Sequence, residues 1–243
     1  MATHQVRALL MGGQACVFYG AAEFSRDTDL LLLSDAANLE RLRGAFRELQ
    51  AECIAVPPFA AEFLDRGHAI HFRCQHPEAS GMRVDIMSRL PGVDAFPALW
   101  ERRATLADTA GTRYELLALS DLVQAKKTQR DKDWPMLRRL LEADYHQHRP
   151  NPGEDRVRFW LREMRTPELL LEFGRSHPHL CQELLAVRPL LVSVLSGDFA
   201  GLVRALAEEQ QRAQETDRAY WQPLKQELER LRHAAARKPP SSE

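Results

Sequence analysis

The sequence predicts an α/β protein: a small mixed sheet flanked by helices, followed by an all-helical C-terminal domain. Three observations carry this reading. Short, continuously apolar runs such as Leu30 to Leu33 punctuate the first part of the chain, set off by polar, glycine and proline residues. One amphipathic segment, Asn38 to Gln50, follows such a run. From Ser120 onward the apolar spacing becomes helical almost throughout. Short apolar runs bounded by turn residues read as buried strands, and i, i+3, i+4 spacing reads as helix.

Taken in order, Val6 to Met11 is apolar, Gly12-Gly13 follows, and small and apolar residues recur to Tyr19 before Gly20. This spells strand, tight turn and short helix. After the polar segment Glu23 to Arg26, Asp27-Thr28-Asp29 leads into Leu30 to Leu33. That run is too short and too evenly apolar for an amphipathic helix, so it reads as a buried strand entered by two acids. Asn38 to Gln50 places Leu39, Leu42, Phe46 and Leu49 on one helical face, with Asp35 as the cap. Cys53 to Val56, Ala69 to Cys74 and Met82 to Met87 are three further strands, the last two joined by a hairpin turn at Ser80-Gly81.

Helices are expected over Asp121 to Lys127, Trp134 to Tyr145, Asp155 to Arg165, Pro167 to Arg175, His179 to Val187 and a long C-terminal stretch. His146 to Gly153, with Pro150 and Pro152, interrupts them most clearly and is the linker candidate. The expected organisation is therefore residues 1–145 as the α/β domain, 154–236 as the helical domain and 237–243 as a disordered tail.

Of the 243 residues, 44% are apolar and 28% charged, enough apolar side chains for a packed core and too many for wholesale disorder. The longest apolar stretches, Leu30 to Leu33 and Pro189 to Leu195, fall well short of the roughly 20 residues that span a bilayer. The N-terminal residues lack a signal peptide's long apolar region, which leads to the expectation of a cytoplasmic protein. Cys16, Cys53, Cys74 and Cys181 form no CxxC pair and read as thiols. A net charge of −1 gives no whole-molecule attraction for nucleic acid, although a local basic patch can still act.

The chemistry is concentrated in acids. Asp27 and Asp29 lie two apart on a strand and so share one face. Arg83, Asp85 and Met87 share one face of a later strand, and pairing the two strands brings a third carboxylate to the same place. Three carboxylates suit two Mg²⁺ ions, since hard cations take oxygen ligands. Without a cation they repel one another, so at least one should titrate above its usual range. Ahead of them, Gly12-Gly13 opens a short helix, where backbone N–H groups and the absence of side chains favour a phosphate.

The order Gly12-Gly13-Gln14-Ala15, Tyr19-Gly20, Ser25-Arg26-Asp27-Thr28-Asp29-Leu30 and Arg83-Val84-Asp85-Ile86 resembles the nucleotidyltransferase superfamily of the DNA polymerase β type. Within it, the chain is similar to small bacterial nucleotidyltransferases, including AbiEii-type toxins and the lincosamide and aminoglycoside nucleotidyltransferases. The resemblance covers residues 6 to about 140. It implies Mg²⁺-dependent transfer of a nucleoside monophosphate from an NTP to an acceptor hydroxyl, with two Mg²⁺ ions as cofactor. Asp27 and Asp29 would bind both metals, and Asp85 would bind the catalytic one and help take the acceptor proton. RNA, a protein and a small antibiotic all remain open as acceptors. Gly12 and Gly13 would meet the triphosphate, and Lys126 or Lys127 would reach it from a helix behind the site. One departure is that many members carry serine where this chain has Gly13.

Other residues have plainer alternatives. Arg26 either orders its loop or touches a phosphate. Lys126, Lys127, Arg130 and Lys132 also suit the C-terminal end of a helix electrostatically. His68, Cys74 and His76 face one way along a strand and His71 the other, which reads as structural or pocket-lining histidine rather than zinc. Trp100, Trp134, Phe159 and Trp160 read as core or interface. A rival to the enzyme is a catalytically silent protein of the same fold, serving as nucleotide sensor or protein-binding module.

Overall fold

Leu30, Leu32, Ile70, Phe72, Val84 and Ile86 all point to one side of a sheet, and that alternation organises the first half of the molecule. A computed structural model describes residues 1–237. The expected disordered tail lies outside the described residues except for Arg237. By contacts the chain divides into two compact units. One holds Met1–Phe18, Glu23–Ala125 and the chain from Ala219 onward, and the other holds Tyr19–Ala22 and Lys126–Arg218.

The first unit is built on seven strands: β1 (Ala8–Met11), β2 (Asp27–Leu32), β3 (Ala51–Cys53), β4 (Ile70–Cys74), β5 (Arg83–Met87), β6 (Ala104–Ala107) and β7 (Arg113–Leu116). Their order across the sheet is β3-β4-β5-β2-β1-β7-β6. β2 pairs with β5 in parallel and β1 with β7 in parallel, while the remaining neighbours are antiparallel, so the sheet is mixed as expected.

Helix α1 (Gly12–Phe18) starts directly from the end of β1, and α2 (Ala36–Glu48) follows β2. The Asp35 side chain accepts from the Asn38 N–H at 2.7 Å, which is the expected cap. Leu39, Leu42 and Phe46 of α2, with Phe63 and Leu64 of α3 (Ala61–Arg66), cover the apolar side of β2, β4 and β5. The first strand of the expected trio lies earlier than Cys53 to Val56, because Gln50 takes a positive φ of 47° and the chain turns into β3 at once. The β4–β5 connection is also longer than a Ser80-Gly81 hairpin. A single 3₁₀ turn at Pro77–Ala79 intervenes, and Cys74 N–H bonds the Met82 carbonyl at 2.9 Å. Helices α4 (Phe96–Glu101) and α5 (Leu119–Ala125) complete the unit, together with the last part of α11 (Phe199–Ala236). There Glu227 accepts from the buried His68 Nε2 at 2.8 Å and pairs with Arg66.

The second unit is helical: α6 (Asp133–His148), α7 (Glu154–Glu163), α8 (Pro167–Ser176), α9 (Pro178–Glu183), α10 (Leu191–Ser196) and the first part of α11. The segment 146–153, expected as a linker, lies inside this unit, and α6 runs into it as far as His148. Trp160 is buried, stacked on Phe173 and edge-on to Tyr145, and its Nε1–H donates to Asp144 at 2.7 Å. The buried Arg188 donates to the Leu161 and Met164 carbonyls and to Glu209, satisfying every arm of its fork. Among the described residues no helix is long and apolar enough to cross a membrane.

Candidate active site

The side of the sheet opposite α2 and α3 carries the acids. Asp29 is the register partner of Asp85 across the parallel β2–β5 pair, and Asp27 that of Arg83. Since side chains alternate along a strand, Asp27, Asp29, Arg83 and Asp85 share this face. His71 on β4 is the antiparallel partner of Asp85 and joins the same face, while Met11 on β1 is the partner of Asp29. Carboxylates far apart in sequence are thus neighbours because β5 inserts between β4 and β2.

Gly12 fixes the other wall. Its φ is +64°, a left-handed conformation that glycine adopts without steric cost, and a Cβ there would lie 1.8 Å from Asp29 Oδ2. The Asp29 carboxylate therefore packs against the backbone where β1 turns into α1. Gly13 is close-packed as well, since a Cβ would stand 2.4 Å from Ser25 Oγ. Ser25 in turn donates from Oγ to the Asp27 carbonyl at 3.1 Å, and its own carbonyl accepts from Gln14 Nε2 at 2.9 Å. Ser25 thus ties the glycine turn and α1 to the entry of β2.

Asp85 is held from the opposite direction. Its Oδ1 takes His71 Nδ1 at 2.8 Å and Arg83 Nε at 2.9 Å. Burial raises the Asp85 pKa, but the bonds from His71 and Arg83 more than offset it, and the carboxyl titrates below its usual range. Arg83 is shifted the other way, upward, chiefly by its bond to Asp85. The expectation that at least one of the three carboxylates titrates above its usual range is not met at Asp85, because the bonds from His71 and Arg83 favour its ionised form.

The same bonds decide how the acids stand. Asp85 is drawn toward β4, and Asp29 turns to the end of β1. Among the described residues no three His, Cys, Asp or Glu side chains are gathered tightly enough to count as a metal cluster. The donor chemistry nevertheless suits Mg²⁺, with carboxylate oxygens on adjacent strands of one face and a side-chain-free turn beside them.

The remaining candidates are placed as follows. Arg26 is exposed and makes no hydrogen bond or ion pair with any described residue. Lys126 and Lys127 belong to the helical unit, where Lys126 Nζ lies 3.5 Å from Asp133 and Lys127 Nζ 2.7 Å from Glu163. Cys74 is buried on the core face, and His76 accepts from the Glu78 N–H at the 3₁₀ turn. Trp134 and Trp160 are core residues, and Trp100 is covered by the Arg103 guanidinium. A surface cavity of about 630 Å³ between Phe46, Phe59 and Phe72 is bordered by Arg43 and Arg47 and belongs to the α2 side of the sheet, away from the acids. Sequence reasoning set His71 on the opposite strand face from Cys74 and read it as structural or pocket-lining, but missed its bond to Asp85. The one signal is the alternation Ile70-His71-Phe72, which sets His71 opposite the core.

No family model matches the sequence, and a search of curated proteins finds no match.

Proposed function

We propose that the protein is a nucleotidyltransferase of the DNA polymerase β type, which transfers a nucleoside monophosphate from an NTP to an acceptor hydroxyl. One observation carries the reading. Asp29 is the register partner of Asp85 on the face opposite the core, and its carboxylate packs against the Gly12 turn. The acid-x-acid strand and the third acid therefore lie side by side on one face, with the glycine turn against Asp29, which supports the reading although the three carboxylates are not gathered into one cluster.

Asp27, Asp29 and Asp85 are the residues that would hold Mg²⁺, whose chemistry here is to polarise the α-phosphorus and neutralise departing pyrophosphate. Asp85 presents Oδ2 to the reaction, since both of its contacts fall on Oδ1. His71 and Arg83 keep that carboxylate ionised and fixed in orientation. Gly12 and Gly13 let a triphosphate approach the backbone, and Arg26, exposed and unpaired among the described residues, supplies a cation at the entry of the acid strand. The four free cysteines suit a reducing compartment, and we place the reaction in the cytoplasm.

The test is incubation with Mg²⁺ and each α-labelled NTP, offering total RNA or cell lysate as the acceptor pool. Label should be transferred by the wild type and lost in Asp29→Ala. A second reading, the silent nucleotide sensor, draws on the ungathered acids. It predicts that Mg²⁺ with NTP raises the melting temperature of the wild type, and not of Asp27→Asn with Asp29→Asn, while no pool accepts label.

A further inference from the structure

The loop that delivers Asp27 carries two exposed side chains. Phe24 is 70% exposed, and Arg26 is exposed and without a partner among the described residues. Between them Ser25 is fixed from three sides. Its carbonyl accepts from Gln14, its hydroxyl donates to the Asp27 carbonyl, and that same oxygen packs against Gly13. A phenyl ring in water forgoes the gain of burial, and here the exposure is set by a pinned neighbour rather than by a frayed end. Phe24 and Arg26 thus flank an anchored residue in the chain, immediately before the first acid.

We propose that Phe24 stacks on the base of the donor nucleotide and that Arg26 meets its phosphates. The proposal rests on the nucleotidyltransferase reading and names the base-contacting residue of that same site. An aromatic face stacks on any base, while a guanidinium fork matches phosphate oxygens. A net charge of −1 favours a mononucleotide over a long polyanionic strand, which needs many cations to displace its counterions.

Equilibrium binding to the full chain in Mg²⁺, with ATP and inorganic tripolyphosphate as probes, separates the two contacts. Phe24→Ala should weaken ATP about tenfold and leave tripolyphosphate unchanged, and Phe24→Trp should restore ATP. Arg26→Ala should weaken both probes alike. An unchanged ATP affinity in Phe24→Ala overturns the proposal, and so does an equal loss of both probes, which would mean that the loop had been disturbed. Failure of the underlying reading looks different. Wild-type protein that does not bind ATP, or ATP binding indifferent to Asp29→Asn, removes the site itself and this proposal with it.

Discussion

Gly12 is the residue at which backbone conformation and site chemistry meet. An alanine there must adopt a left-handed φ and also displace the Asp29 carboxylate, whereas Gly81 has a φ of +77° with open space around it. Gly81→Ala therefore isolates the conformational cost, about 1 kcal/mol, and Gly12→Ala should cost about 2–3 kcal/mol because a collision is added. Equilibrium denaturation of the two variants measures the difference, and equal losses would mean that Asp29 moves aside freely. The turn and the three acids were legible because strand alternation assigns faces without knowledge of the fold. The bond of His71 to Asp85 was not. It depends on the β4–β5 register, which the 3₁₀ turn and the Cys74–Met82 bond set and which a two-residue hairpin would have set differently.

At the scale of elements, legibility followed length and depth of burial. α2 and β2 stood out because a long amphipathic stripe and a continuous apolar run each admit one reading. α3 and α4 span only Ala61–Arg66 and Phe96–Glu101, too short to complete a periodic pattern, and they were missed. β6 and β7 were missed because Ala104–Ala107 and Arg113–Leu116 are half-exposed, so their composition resembles that of a loop. Helix packing offers a sharper test in the second unit. Gly174 sits inside α8, where alanine would ordinarily gain about 1 kcal/mol of helix propensity. A Cβ there would lie 2.3 Å from Val194 Cγ1 on α10 and 3.4 Å from the Val194 carbonyl. Overpacking of this kind costs about 1–3 kcal/mol, so Gly174→Ala should be net destabilising. Adding Val194→Ala should relieve the side-chain part of the collision. A Gly174→Ala protein that melts higher than wild type would mean that α8 and α10 are less closely packed than described.

For the molecule as a whole, stability against acid depends on carboxylates that the sequence showed only as charge. Asp133 is buried and accepts from Thr128 Oγ1 at 2.6 Å and Arg130 Nε at 2.7 Å, with Lys126 nearby. Burial raises its pKa, but the Thr128 bond and the Lys126 and Arg130 charges prevail and lower it. Glu209 behaves alike, with burial opposed by two bonds from Arg188 and the charge of Arg165, and its pKa also lies below the usual range. A carboxylate whose folded pKa is depressed contributes stability that is fully present above its unfolded pKa and is lost as pH falls toward the folded one. Unfolding free energy should therefore be level through neutral pH and decline from the ordinary carboxylate range downward. Asp133→Asn keeps the shape but removes the charge that Arg130 and Lys126 face, and because Arg130 is largely exposed the loss at neutral pH should be about 1–3 kcal/mol. The variant should also show a shallower acid decline, since one of the depressed groups no longer takes up a proton on unfolding. Urea titrations at stepped pH on both proteins give the two slopes. If the slopes coincide while the neutral-pH loss remains, the Asp133 pKa is not depressed in the folded protein and its ionisation contributes nothing to acid stability.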